Sequence, residues 1–180
     1  MANCCLYTAR AVAKSKEVLD RLVDILRYRD KEYCCYRVSS ADVTDGPVRR
    51  EDGLWVVEIQ GDSAHDAQHL FANVEDTSNV LGKYATTPGT ENAHEVTLDI
   101  LAKRLGFAIE VWSEESGCCF QEHIVCGIDG VPAYDSVDWH ENWEDDEGNE
   151  LDEPVVTGGY SDYLSFRDPS RLFGTALAIA

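Results

Sequence analysis

Alternating and helically spaced hydrophobic positions divide the first 61 residues into four elements. The segment CCLYTARAVA at 4–13 is rich in small and aromatic residues and predicts a two-sided strand. Hydrophobic residues then recur at three- and four-residue spacing, which predicts an amphipathic helix over 16–28 that Ser15 can cap. EYCCYRV at 32–38 predicts a second strand, and LWVVEIQG at 54–61 is apolar enough to predict a central third one. The segment between these two strands, SSADVTDGPVRREDG, is polar and predicts a connector.

The pattern weakens between residues 62 and 89, where it predicts a short helical turn near 65–71 followed by an inserted loop. A second helix is predicted over 91–105, with Gly106 in the left-handed conformation at its end. Three further strands follow this helix. They are FAIEVWSEE at 107–115, CCFQEHIVCGIDG at 118–130 and VPAYDSVDW at 131–139.

The resulting order is β-α-β-β-α-β, the split arrangement of ferredoxin-like folds. We therefore predict an α+β fold: one ferredoxin-like antiparallel sheet with the helices on one face and a C-terminal β-hairpin extension. At 180 residues the chain is long enough for one well-buried core. We assign residues 1–153 to this domain and 154–180 to an extension that docks on the domain or on a second copy of the chain. Its docking residues are Tyr160, Tyr163, Leu164, Phe166, Leu172 and Phe173.

The charge of the chain is strongly acidic and unevenly distributed. Fifteen Lys and Arg against 34 Asp and Glu give a formal net charge of -19, which argues against direct nucleic-acid binding. Residues 105–166 contain 16 acids and no Lys or Arg. The densest part is DWHENWEDDEGNELDE at 138–153, with nine carboxylates and no base.

This dense run has two interpretations. Charge runs are usually solvated faces, but a surface that imitates the phosphates of DNA needs the same density of negative charge. Trp139 and Trp143 favour the second interpretation, because large aromatic residues often anchor protein contacts. The predicted partner-binding residues are Asp138, Trp139, Glu141, Trp143, Glu144, Asp145, Asp146, Glu147, Glu150, Asp152 and Glu153.

The cysteines and the hydrophobic runs bear on compartment and cofactors. The N-terminus does not have the pattern of a signal peptide, and no apolar run reaches the roughly 18 residues of a membrane span, so we expect a cytoplasmic protein with no membrane contact. The seven cysteines form three adjacent pairs plus Cys126. In the reducing cytoplasm we expect thiols and no disulfide. Free cysteines pack as small hydrophobic residues, and neighbouring residues on a strand point to opposite faces, so we expect buried thiols that bind no zinc, and no other cofactor.

Two local patterns keep an enzymatic alternative open. His65 and His69 have the i, i+4 spacing of a helical zinc site, with Asp66 in the place next to the first histidine. In the fifth predicted strand, Cys119 and His123 could act as nucleophile and base, although four residues of strand separate them by roughly 13 Å. Glu114, Glu115 and Glu122 could supply acid and base. The alternative function is a small hydrolase or a metal-dependent enzyme that uses these residues.

Three segments carry a family resemblance. They are MANCCLYTARAVAKSKEVL, GDSAHDAQHLF, and IEVWSEESGCCFQEHIVCGIDG followed by VDWHENW. Over about residues 1–147 the chain resembles the YubB-like ferredoxin-like proteins of bacteriophages, plasmids and other mobile elements. Ser116 stands where the family prefers proline, and His65 and Asp66 stand where aromatic and small residues are expected. The matching residues are Gly117, Cys119, Phe120, Gln121, Glu122 and His123. The resemblance implies a ferredoxin-like fold and a mobile-element setting, and it implies no general activity.

These observations favour a non-enzymatic binding protein. We expect its acidic surface to block a host protein that normally grips nucleic acid, as an anti-CRISPR or anti-restriction inhibitor does by DNA mimicry. Its partner is then a host nucleic-acid-binding protein in the bacterial cytoplasm, such as a CRISPR or restriction effector. Whether the chain also forms a homodimer is left open by the sequence.

Overall fold

The computed structural model describes residues 4–35, 38–64, 66–68, 70, 74–76 and 95–174. Seven strands of this part form one antiparallel sheet. They are β1 (Cys4–Ala13), β3 (Val38–Arg49), β4 (Trp55–Ala64), β7 (Phe107–Glu115), β8 (Phe120–Cys126), β9 (Pro132–Glu144) and β10 (Glu150–Gly158). Their order across the sheet is β10-β9-β8-β7-β1-β4-β3.

A second, smaller sheet and three short helices complete the described elements. The small sheet has the order β2-β5-β6 and consists of β2 (Tyr33–Cys35), β5 (Val74–Asp76) and β6 (Glu95–Val96). The helices are α1 (Lys16–Leu26), α2 (Leu98–Leu105) and α3 (Pro169–Gly174). None of the helices in the described ranges is long and apolar enough to cross a membrane.

The main core lies on one face of the large sheet, where α1 and α2 pack. Alternate residues of β1 point into it, because successive strand side chains face opposite sides. Helix α1 contributes its apolar stripe, the helical spacing that the sequence shows. Gly106 ends α2 in the left-handed conformation with φ 78°, as predicted. The α1 residues in this core are Leu19, Leu22, Val23, Ile25 and Leu26.

The opposite face of the sheet is covered by the C-terminal segment, which we define as residues 159–174. Val12, Ala108 and Val125, from three neighbouring strands, pack there against Leu172 of α3. The sheet is therefore covered on both faces over its centre.

The predicted ferredoxin-like fold with helices on one face is wrong. The chain forms a mostly antiparallel sheet of seven strands that curls into a half-barrel, with short helices. Two features of the sequence caused the error. The polar segment interpreted as a connector contains the long edge strand β3. Strands β8, β9 and β10 continue the same sheet beyond β7, whereas the last strand of a ferredoxin-like fold would complete a four-stranded sheet.

Strand β3 was missed because it lies at the edge of the sheet. Val38 and Ala41 are buried in it, whereas most of its later side chains are partly or fully exposed, so the strand needs few apolar residues. The helical turn predicted near 65–71 falls partly outside the described residues, as do positions 91–94 of the second predicted helix. Strand β10 passes through residue 154, where the sequence analysis places the start of the extension.

Candidate partner-binding surface

Strands β9 and β10 form a hairpin that continues past the end of β8. Strand β8 begins at Phe120, which pairs with Asp138, so residues 139–144 of β9 extend beyond β8 and face β10. The β9–β10 register shifts between the Glu144–Glu150 pair and the Asn142–Val155 pair. At about 3.4 Å per residue this overhang is roughly 20 Å long. We call residues 141–153, which include its tip, the acidic arm.

The acidic arm carries only negative charge at neutral pH. Eight of its 13 residues are Asp or Glu, and it contains no Lys or Arg. All eight carboxylate side chains are exposed. They belong to Glu141, Glu144, Asp145, Asp146, Glu147, Glu150, Asp152 and Glu153.

Two of these charges directly oppose each other across the hairpin. Glu144 of β9 and Glu150 of β10 are cross-strand partners. Like charges in this position destabilise a strand pair. The charge pattern at this position therefore destabilises the hairpin.

Asp145 holds the tip of the acidic arm in one conformation. Its Oδ1 accepts hydrogen bonds from the backbone N–H of Glu147 at 2.9 Å and of Asn149 at 2.8 Å, and its Oδ2 accepts one from Asn149 Nδ2 at 2.9 Å. These bonds favour the ionised form and lower the pKa of the Asp145 carboxyl below its ordinary value. Gly148 takes φ 84°, which completes the turn.

The structure separates the two tryptophans that the sequence analysis groups together. Trp143 lies on the acidic arm and is 50% exposed, so it is free to contact another molecule. Trp139 is 7% exposed and lies where the hairpin joins the sheet. Asp138 is exposed but precedes the arm, and its carbonyl accepts a bond from the N–H of Gly159. The remaining partner-binding residues of the sequence analysis lie together on the arm.

The number of negative charges per unit length of the acidic arm lies between that of a single nucleic-acid strand and that of duplex DNA. Over roughly 20 Å, duplex DNA carries about 12 phosphate charges and a single strand about 6. The arm presents eight carboxylates over a comparable length. A basic groove that accommodates a phosphate backbone would therefore meet a similar electrostatic partner.

His123, a candidate base of the enzymatic alternative, is buried and pairs with Glu110, unlike the exposed residues of the acidic arm. His123 Nε2 lies 2.8 Å from Glu110 Oε1, and its ring stacks on Trp112 with the centroids 3.7 Å apart. His123 is 7% exposed, and Glu110 is fully buried. The other Glu110 oxygen accepts a bond from the N–H of Arg167, which ties the C-terminal segment to the sheet.

Glu122 is buried on the other face of the sheet and accepts three hydrogen bonds. Its Oε2 accepts from Ser113 Oγ and from the N–H of Ala67, each at 2.7 Å, and its Oε1 accepts from the Tyr134 hydroxyl at 3.1 Å. Adjacent strand residues point to opposite faces, so Glu122 and His123 do not form one acid–base pair.

The remaining candidates of this group serve the β7–β8 turn. Glu115 is buried and accepts a bond from the N–H of Cys118, and Glu114 accepts one from Gln121 Nε2 at 2.7 Å. Cys119 lies in this turn with φ 55°, and β8 begins only after it. These contacts give each side chain a structural role.

Two of the buried cysteines have weakly acidic thiols. Burial raises the pKa of the Cys5 thiol and of the Cys126 thiol to about 12, because the interior disfavours the thiolate. The adjacent pair Cys4–Cys5 follows the strand alternation, with Cys4 exposed and Cys5 buried. None of the seven cysteines, all of which lie in the described residues, forms a disulfide.

The predicted zinc pair cannot be located, because His65 and His69 lie outside the described residues. In the part of the chain that is described, no three His, Cys, Asp or Glu side chains converge as ligands of a metal ion.

Glu110 is not among the residues predicted from the sequence. This residue is the one charged position within the apolar run of β7, FAIEVW, and that is the signal that could have revealed it. A carboxylate in such a run requires a buried partner, and His123 is the partner on the next strand.

Comparisons with protein-family models, with curated proteins and with solved structures found no significant match to this chain. The resemblance to YubB-like proteins therefore stays a prediction.

Proposed function

We propose that the protein is a binding protein whose acidic arm occupies the nucleic-acid groove of a basic partner. The observation that carries the proposal is the projecting hairpin with eight exposed carboxylates and no base. The arm competes with nucleic acid for the groove, so the protein acts as an inhibitor of its partner.

Three features of the acidic arm support this role. The arm projects beyond β8, so a groove can reach both of its faces. Its tip is ordered by Asp145, which lowers the entropy lost on binding. The opposed charges of Glu144 and Glu150 repel each other within the hairpin. A cationic side chain of the partner that contacts both carboxylates would remove this repulsion.

The surroundings of the strand residues support a binding role over an enzymatic one. Glu110 and His123 bond to each other in the interior, and Glu122 has three hydrogen-bond donors around it. A general base must reach a substrate proton, and these groups already have protein partners.

The biological setting is part of the same proposal. The family resemblance suggests a phage or mobile element acting in the bacterial cytoplasm. A CRISPR or restriction effector is a partner of the right chemistry, because such proteins bind the nucleic-acid backbone with Lys and Arg.

The test replaces four charges of the arm and retains its turn. The arm variant carries Glu144→Gln, Asp146→Asn, Glu147→Gln and Glu150→Gln, while Asp145 is kept because it holds the tip. The parent protein, immobilised, is used to capture proteins from a bacterial lysate, which are then eluted with duplex DNA. Each captured protein is purified, and its DNA binding is measured with and without the parent and the variant.

A matched control variant changes four exposed charges elsewhere: Asp24→Asn, Asp45→Asn, Glu51→Gln and Asp162→Asn. We expect the parent and the control to inhibit DNA binding, and the arm variant to lose association rate by roughly tenfold or more at low salt. The difference should shrink as salt rises. If the arm variant inhibits as well as the control at physiological salt, the acidic arm is not the interface and the proposal fails.

A further inference from the structure

Strand β10 ends the order of the large sheet, so within the described residues one of its edges has no neighbouring strand. The direction of its backbone groups follows from two hydrogen bonds. The N–H of Trp139 donates to Cys119 beside β8, and the N–H of Gly159 donates to Asp138, across the hairpin. In an antiparallel ladder the direction alternates with each residue. Val155 and Thr157 therefore bond to β9, and Val156 directs its N–H and C=O away from the sheet.

The free edge of β10 is guarded over its first half and open over its second. Residues 150–153 carry three carboxylates, and Pro154 has no N–H to donate. Charges and proline are the devices that protect edge strands from pairing. Val155, Val156 and Thr157 have neither device, and the two valines are 54% and 58% exposed.

The charge around this open edge selects its occupant. A second copy of the chain would bring its own acidic arm alongside, and like charges on paired strands repel. A strand that carries Lys or Arg and pairs along residues 155–157 would instead bring cations near Asp152 and Glu153, which lie in the register shift just before this edge. On one face it would also meet Val156 and its cross-strand partner Glu141.

We propose that the edge of β10 binds an extended, basic segment of the partner by strand addition, with Val156 making the backbone hydrogen bonds. This inference rests on the proposed function, since it specifies how the partner binds the acidic arm. Backbone pairing supplies affinity and register, and the carboxylates supply selectivity for basic side chains.

The probe is a fluorescent ten-residue peptide of alternating lysine and valine. Its affinity is measured by anisotropy against the full-length protein, beside the same peptide methylated on alternate backbone nitrogens. We expect methylation to weaken binding roughly tenfold, because it removes donors from one edge of the peptide strand. We expect Val156→Pro to weaken binding of the unmodified peptide by a similar factor. Proline removes the outward N–H of residue 156, and it breaks no hydrogen bond to β9. Val156→Thr keeps the N–H and a branched side chain, so it should bind like the parent.

Hydrogen exchange supplies the readout that charge attraction alone cannot produce. The amide of Val156 should exchange more slowly in the peptide complex, and this change should be absent with the methylated peptide. Protection at Glu141 and Trp143 instead would place the strand on the β9 edge and overturn the proposal. A dimer in sedimentation that Val156→Pro dissociates would also overturn it, because the edge would then bind a second copy.

The two proposals fail in different ways. If Val156→Pro still inhibits the captured partner and binds the peptide like the parent, while the arm variant does neither, strand addition is wrong and the electrostatic function stands. If the arm variant also keeps full inhibition, the proposed function fails as well.

Discussion

The ring of His123 lies parallel to the indole of Trp112, with 2° between the planes, while Glu110 bonds the same histidine at its edge. Trp112 also meets the edges of Tyr160 and Tyr163, with centroids at 5.1 and 5.7 Å. His123 therefore has two structural roles in the fold. It partners a buried carboxylate, and it supports the aromatic cluster that holds the C-terminal segment.

Two substitutions of His123 should separate these roles. His123→Phe keeps a ring on Trp112 but removes one partner of Glu110, which retains the N–H and the nearby guanidinium of Arg167. We expect a loss of about 1–3 kcal/mol in the free energy of unfolding. His123→Ala also removes the stacking, which adds about 1 kcal/mol. Urea unfolding followed by circular dichroism measures both losses. Equal stability of His123→Phe and the parent would mean that the bond to Glu110 is not a stabilising contact.

Glu122→Gln tests the three-bond cluster beneath the sheet. The amide oxygen can keep the bonds from Ser113 and Ala67 while its NH2 donates to the Tyr134 hydroxyl, so the substitution removes the negative charge that strengthens these bonds. We expect a loss of about 1–3 kcal/mol in unfolding free energy and faster hydrogen exchange at Ala67. Tyr134→Phe removes only the bond from a partly exposed hydroxyl and should cost less than about 1 kcal/mol. The prediction fails if the two variants are equally stable.

Asp145→Ala tests whether the order of the arm tip matters for binding. The substitution removes one charge and the acceptor of three donor groups, whereas Asp146→Ala removes one exposed charge. We expect faster exchange of the Asn149 amide and weaker partner binding in Asp145→Ala than in Asp146→Ala.

The same turn should depend on pH in acid. The pKa of Asp145 is lower in the folded arm than in the unfolded chain, so its contribution is present above the ordinary value of 3.8 and is lost as the pH falls through the folded pKa. The Asn149 amide resonance in an NMR titration should shift over that acidic range. An unchanged resonance there would contradict the assigned bonds.

Alkaline pH should weaken the fold through the buried thiol of Cys126. Its pKa is raised from 9.0 to about 12, so the neutral thiol stabilises the fold fully below pH 9 and the contribution is lost as the pH rises toward 12. In Cys126→Ala the free energy of unfolding should fall less steeply over this range, measured by urea unfolding at several pH values. An equally steep fall in Cys126→Ala and in the parent would contradict this prediction.

Local patterns predicted the buried strands well and the edges poorly. Strands β1 and β7 have the bounds that their residues predict, because both are central and their apolar residues serve a covered sheet. Strand β3 ends the strand order within the described residues and needs only Val38, Ala41 and a few partly buried residues, so its composition is that of a loop. The helix α1 ends at Leu26, two residues before the predicted end, and Tyr28 follows with φ 57°.

The candidate surface could be predicted as a composition but not as a shape. The sequence marks the carboxylates of the arm by their density alone. That Trp143 is exposed while Trp139 is buried depends on where β8 begins, which is a relation between distant residues. The pairing of Glu110 with His123 likewise follows from the register of β7 and β8 and from no local pattern.

The order of strands across the sheet also orients the molecule in an electric field. Strand β10 carries the dense carboxylates at one edge of the large sheet, whereas the charges of β3 at the opposite edge, those of Asp42, Asp45 and Arg49, nearly balance. The molecule is therefore a dipole as well as an anion. Near a basic surface it experiences a torque that turns the β10 edge forward, so the arm leads the approach before any contact forms.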